Sequence, residues 1–213
     1  MENKRSYICS FLIVLFHFVG LIGFLLPSLV PIFIKLVPWH LLLMFILLLI
    51  SQQDKNLHFV FYLVTVFLLG FLLELAGVKT GIIFGNYAYG KTLGLKLFDV
   101  PLLIGLNWVM LVYAAATCVQ ALQMSENKIV KSAIAAFALV VLDYLIEPVA
   151  VKFDYWEWDT SAIPVKNYVC WYLISFLFCF VFYSFSFNKK NKAAITFFIT
   201  QLLFFIALNL WAF

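Results

Sequence analysis

Asp143 and Glu147 stand four residues apart, immediately before Pro148, inside a run that is otherwise almost wholly apolar. On a helix that spacing sets both carboxyls on one face. Two carboxyls held close in a low-dielectric setting resist ionising together, so such a pair keeps a proton at neutral pH and can act as an acid. A structural reading fits the same residues: the carboxyls hydrogen-bond backbone freed by Pro148, or pair with Lys152 on the next turn. Glu74 is a third acid in similar surroundings, about one turn inside the end of its apolar run. An ionisable group there costs a few kcal/mol unless it is paired, hydrated or neutral.

Polar and aromatic residues gather near these acids in the chain. The segment 81–90 carries Tyr87 and Tyr89 among Gly81, Gly85 and Gly90, glycines that permit tight turns. It reads equally as a re-entrant segment dipping into protein or as a surface loop with interfacial tyrosines. The segment 153–159, which holds Trp156 and Trp158 among three acids, is ambiguous in the same way. Asn107 and Trp108 lie within two turns of the start of an apolar run, and Asn167 with Trp171 opens another. An amide placed in lipid serves either a neighbouring helix or a polar substrate.

The elements that must position these residues are membrane spans. Of the 213 residues 66% are hydrophobic and 11% charged, with a mean hydropathy of +1.07, whereas soluble domains carry about a quarter charged residues. About 20 apolar residues cross a hydrocarbon layer of about 30 Å. Seven runs qualify as candidates: 7–26, 36–50, 57–78, 101–122, 129–151, 168–187 and 193–213. The second is the weakest, being short and opening on Pro38-Trp39; it begins earlier, within 31–35, or crosses only in part, which leaves six spans as the alternative. The first run follows Lys4 and Arg5 as a signal peptide would, yet is long and lacks an A-x-A site, so it reads as an uncleaved span. The expectation is an all-α, polytopic helix bundle forming a single transmembrane domain over 1–213.

Span parity brings the ends of the third and fifth spans to the face where the fourth and sixth begin, and nearly every unusual residue lies there. Lys4, Arg5, Lys55, Lys128, Lys131, Lys189, Lys190 and Lys192 fall on one side, against six lysines on the other. That bias favours a cytoplasmic N-terminus in a cell membrane. The net charge of +4 is spread between apolar runs rather than clustered on a polar face, which argues against nucleic acid. Cys9, Cys118, Cys170 and Cys179 form no C-x-x-C pair and read as small apolar filler, with no metal site expected. His17, His40 and His58 are scattered, and each is expected to make a structural hydrogen bond or to sit at the interface.

Taken together, Glu74-x-x-Gly77-x-x-x-Gly81, Phe84-Gly85-x-Tyr87-x-Tyr89, Gly94, Pro101 and Trp108 resemble the first conserved block of the CruF-type carotenoid biosynthesis membrane proteins, within 73–110. A second block, within 143–172, resembles Asp143-x-x-x-Glu147-Pro148, Tyr155-Trp156-x-Trp158, Pro164-x-x-Asn167 and Trp171. Two positions depart from that pattern. Glu147 stands where Asp is common, which keeps the acid and lengthens its reach, and Ala162-Ile163 replaces a Gly before the later Pro.

The resemblance implies a carotenoid 1,2-hydratase, a hydro-lyase that adds water across a terminal isoprenoid double bond of an acyclic or monocyclic carotene to leave a tertiary alcohol. It implies no cofactor, and the chain offers no Gly-rich nucleotide loop or metal cluster. Asp143 is expected as proton donor or its partner, Glu147 as the paired carboxylate and Glu74 as water-orienting base. Tyr87, Tyr89, Asn107, Trp108, Trp156 and Asn167 would shape the substrate pocket. Implied partners are a hydrophobic carotenoid, the lipid bilayer and other membrane enzymes of the carotenoid pathway. Competing readings are a polyene cyclase or isomerase, a membrane prenyltransferase, and a non-catalytic carotenoid- or lipid-binding partner.

Overall fold

The computed structural model describes residues 2–211 and consists of helices joined by short connections. The helices are α1 Glu2–Leu25, α2 Val30–Ser51, α3 Leu57–Thr80, α4 Leu102–Leu122, α5 Lys128–Lys152, α6 Val165–Ser184 and α7 Lys192–Trp211. Among the described residues, all seven are long and apolar enough to cross a membrane. At about 1.5 Å per residue, each spans roughly 30 Å or more. Their outer faces carry exposed Phe, Leu, Ile and Val, including Phe11, Leu57, Phe61, Phe137 and Leu203. With lipid as the solvent those faces are satisfied, and the chain is a multi-pass membrane bundle.

The second helix is longer than the apolar run that announces it. It starts at Val30, so Pro31 falls in the first turn, where its missing N–H would have had no partner in any case. Pro38 lies within the helix, and α2 is a full-length span rather than a partial crossing. The expected end of the seventh span, at 212–213, lies outside the described residues.

Helix ends follow local chemistry. The Asn56 side chain accepts a hydrogen bond from the Phe59 amide at 3.0 Å to start α3, and Asn127 accepts from Ile129 at 2.8 Å to start α5. Gly81 ends α3 at φ 63°, a left-handed conformation that glycine adopts without strain, and its amide donates to the Gly77 carbonyl at 2.8 Å.

The centre of the bundle is α4, whose residues Trp108–Thr117 are all buried and which packs against α2, α3, α5, α6 and α7. Its Ala114, Ala115 and Ala116 let neighbouring helices approach closely. At the end of the bundle opposite the acids, Ser51 donates to the Asn191 side-chain oxygen at 2.9 Å and Asn191 donates to the Tyr113 hydroxyl at 2.8 Å. These bonds tie α2 and α4 to the segment that leads into α7.

Short strands complete the fold: β1 Tyr87–Tyr89, β2 Lys96–Leu97, β3 Val100–Pro101 and β4 Trp156–Trp158. Strands β1 and β4 pair antiparallel across the two loops, with Tyr87 opposite Trp158, Ala88 opposite Glu157 and Tyr89 opposite Trp156. The 81–90 segment thus ends in one half of a β-ribbon, with Phe84, Tyr87 and Tyr89 buried, and is not a free surface loop.

Candidate functional site

The ribbon gives the acids their surroundings. Because side chains alternate along a strand, Tyr87, Tyr89, Trp156 and Trp158 face the bundle, while Ala88 and Glu157 face away. The ribbon is held in place by close backbone contacts. The Gly90 amide donates to the Tyr155 carbonyl at 2.9 Å, and a Cβ on Gly90 would stand 2.1 Å from the Asp154 carbonyl oxygen, so only glycine fits. Asp154, at φ 57°, turns its carboxylate to accept from the Lys91 amide at 3.1 Å.

Glu74 is buried at the end of α3. One carboxyl oxygen, Oε2, accepts from the Tyr87 hydroxyl at 2.6 Å and the Tyr89 hydroxyl at 2.7 Å. The other, Oε1, accepts from the Trp108 indole N–H at 2.9 Å. Burial first, and then the neighbouring Glu74 carboxyl, push both phenols well above their ordinary range, so each stays a hydrogen-bond donor.

Glu147 is held in a matching way from the other strand. Its Oε2 accepts from the indole N–H groups of Trp156 at 2.9 Å and Trp158 at 3.0 Å. Asn167 bridges the α5 pair: its amide nitrogen donates to Glu147 Oε1 and to Asp143 Oδ2, each at 3.2 Å. The carboxyls thus engage side chains of neighbouring elements rather than backbone freed by Pro148. Separately, Asn209 of α7 donates to the Leu145 carbonyl of α5 at 2.7 Å.

Between the two acids lies a small chamber lined by Glu74, Glu147 and Asn167 with Tyr87, Tyr89, Trp108, Trp156, Trp158 and Trp171 among its aromatic walls. Its volume of about 30 Å³ accommodates a water molecule. Trp171 stacks on Trp108 at 4.2 Å between ring centroids, which fixes the indole that donates to Glu74. Asp143 is buried behind Asn167 and Glu147 and does not line the chamber.

Beside the chamber runs a larger cavity of about 320 Å³, walled mainly by apolar residues of α1, α2, α4 and α7. The two share Ile104, Asn107 and Trp156 as a common wall. The large cavity and the acid chamber thus adjoin across these three side chains.

The structure brings Glu74, Tyr87, Tyr89, Asn107, Trp108, Glu147, Trp156 and Asn167 to one chamber and sets Asp143 directly behind it. Trp158 and Trp171 belong to the same chamber, although neither stands among the pocket residues expected from sequence. The alternation Trp156-Glu157-Trp158, matching Tyr87-Ala88-Tyr89, is the signal that marks Trp158, since period-two patterning places both indoles on one strand face.

A family described as "Carotenoid biosynthesis protein" matches residues 36–213, which includes both sequence blocks and every chamber residue. A bisanhydrobacterioruberin hydratase from Haloarcula japonica is 27% identical over 135 residues, covering 61% of this chain. The matched region spans 46% of that relative, so less than half of its length has a counterpart here. No solved structure matches the chain. With the family match running through six of the seven helices and the whole of the acid chamber, this chain belongs to the carotenoid biosynthesis protein family.

Proposed function

We propose that this protein adds water across a terminal isoprenoid double bond of an acyclic or monocyclic carotene, leaving a tertiary alcohol, with no redox cofactor. The observation that carries this reading is a water-sized chamber, lined by two carboxyls and aromatic faces, that adjoins a larger, mainly apolar cavity across the side chains of Ile104, Asn107 and Trp156. The hydratase name of the Haloarcula relative supports the same reaction class.

In this reading the polyene lies in the large cavity with its terminal double bond past Asn107. Glu147, protonated, donates its proton to the less substituted alkene carbon, so that a C–H bond forms and the positive charge falls on the tertiary carbon. Trp156, Trp158 and Tyr87 present π-faces to that charge, and the ionised Glu74 supplies a counter-charge in a setting of low dielectric. Water attacks the cation and gives up a proton to Glu74, and exchange with solvent returns a proton to the α5 pair. Atoms balance as alkene plus water to alcohol. Asp143 acts as the partner of Glu147, keeping a proton on the pair, and Asn167 sets their orientation.

Expressed in a host that accumulates an acyclic or half-cyclic carotene, the protein is expected to yield a pigment heavier by one water. The chromophore should barely change, because the terminal double bond lies outside the conjugated system, so mass spectrometry is the readout. An unchanged pigment with the protein inserted favours a carrier. An isomer of equal mass and altered absorption indicates a cyclase.

The loop-charge bias further favours an N-terminus on the cytoplasmic side of a cell membrane, with the acid chamber toward the outer face. Single cysteines in a background lacking the native four test this. Cysteine at Glu157 should react with an impermeant thiol reagent added outside intact cells and cysteine at Ser125 should not. The reverse pattern overturns the orientation and leaves the chamber intact.

A further inference from the structure

The large cavity is not uniformly apolar. His17 of α1, His40 of α2 and Gln201 of α7 line it, well away from the carboxyls. The His17 ring nitrogen Nδ1 lies 2.8 Å from the Ile13 carbonyl. A carbonyl only accepts, so Nδ1 carries the hydrogen, and in the neutral ring Nε2 is left as an acceptor. That Nε2 is buried and has no hydrogen-bond partner, and His17 itself is 3% exposed. Among the described residues, His40 and Gln201 also make no side-chain hydrogen bond, and His40 meets His17 edge-on at 4.7 Å between ring centroids. Gln201 lies on the α7 face that carries Phe197 and Phe204, whose rings contact His17 at 5.8 and 5.7 Å. Unpaired polar groups inside a lipid-embedded cavity are unfavourable until a ligand satisfies them.

The exposed members of the cavity lining are Phe16 and Val19 on α1 and Leu36 and Trp39 on α2. The opening therefore faces the lipid between these helices. Along α1 the cavity extends from Phe16 to Phe24, about 12 Å at 1.5 Å per residue, and Phe24 packs on Phe153 beside the ribbon at 4.8 Å between centroids.

We infer that the cavity takes isoprenoid chains from the lipid phase between α1 and α2 and that His17, His40 and Gln201 form a second recognition point for a hydroxyl group on the chain, roughly 10 Å from the acid chamber. A hydroxyl suits this point because it both donates, as the His17 acceptor requires, and accepts from the His40 ring or the Gln201 amide. The choice of an isoprenoid occupant rests on the hydratase reading; the preference for a hydroxyl rests on the side chains alone.

The test reads binding and not turnover. Purified protein in lipid nanodiscs is titrated with farnesol and with the oxygen-free hydrocarbon of the same skeleton, following tryptophan fluorescence, since Trp39 and Trp156 line the cavity. The wild type should favour the alcohol about tenfold, the discrimination expected from satisfying buried polar groups. His17→Phe and Gln201→Leu should each erase most of that preference with hydrocarbon binding retained. If His17→Phe fails to bind the hydrocarbon, Gln201→Leu carries the comparison. Equal wild-type affinity for the two ligands, or a preference intact in both variants, overturns the proposal. An alcohol preference lost in the variants, in a protein that hydrates no polyene, would overturn only the proposed reaction. Hydration without any alcohol preference would overturn only the second recognition point.

Discussion

Glu147→Gln lowers the rate of hydration by about 10²- to 10⁴-fold while the protein still inserts and binds its polyene, the cost typical of losing a positioned proton-transfer group. The substitution is nearly isosteric, and its hydrogen bonds can be re-made. The indole N–H groups of Trp156 and Trp158 only donate, so the Gln oxygen must face them. Its NH₂ then points at Asn167, which satisfies it by turning its amide oxygen inward; that turn gives up the Asn167 donor to Asp143, and a protonated Asp143 donates to the same oxygen instead. The chamber keeps its shape and loses only the proton. Asp143→Asn should also slow the reaction, with a loss at the lower end of that range, because Asp143 sits behind the chamber and acts through Glu147. Initial rates in membranes, normalised to inserted protein, measure both effects. Wild-type turnover in both variants would assign the α5 pair a purely structural role.

Glu74→Gln should cost a similar factor and change what is made. Here the re-made network is simpler: the Gln oxygen faces the Trp108 N–H, and its NH₂ donates to the phenol oxygens of Tyr87 and Tyr89, which can accept as well as donate. Protonation of the alkene by Glu147 survives, but the cation loses its counter-charge and the base that takes up the proton of the attacking water. The cation then returns a proton from a neighbouring carbon more often than it is captured. The expected signature is a fall in alcohol by about 10²-fold or more, together with an isomerised terminal alkene of unchanged mass. Product analysis by chromatography and mass spectrometry separates this outcome from Glu147→Gln, which should leave the starting polyene untouched. Identical product spectra from the two variants would remove the division of roles between the acids.

Much of this arrangement is legible in the chain because the bilayer imposes few solutions. Runs of about 20 apolar residues must be helices, and parity alone puts the ends of α3 and α5 beside the starts of α4 and α6. Glu74, Asp143 and Glu147 stand out because ionisable groups are rare at such depth. The pairing of β1 with β4 is a different matter. It joins residues about seventy positions apart in sequence, and no local pattern specifies a partner at that range. Tyr87-Ala88-Tyr89 and Trp156-Glu157-Trp158 show the alternation of half-buried strands, but three-residue strands are too short to announce themselves among interfacial aromatics.

Helix α2 is understated in sequence because Pro31, Lys35 and Pro38 interrupt its apolar run. Pro31 in the first turn and a Lys35 exposed near the helix start are compatible with a span. The recognition point of His17, His40 and Gln201 is invisible in the chain, since three helices far apart in sequence bring it together. The structural hydrogen bond expected of a membrane histidine does form at His17, to Ile13, and it is this bond that leaves the other ring nitrogen unpartnered.

The central claim is that a carboxylic acid of the protein protonates the alkene and that water then supplies the oxygen. Solvent labelling tests it most directly. Membranes containing the protein are supplied with an acyclic carotene in water enriched in oxygen-18 and deuterium, and the product is examined by mass spectrometry and NMR. One solvent oxygen on the tertiary carbon and one non-exchangeable deuterium on the adjacent carbon are expected. Oxygen drawn from O₂, or an alcohol with no carbon-bound deuterium beside it, would contradict the account.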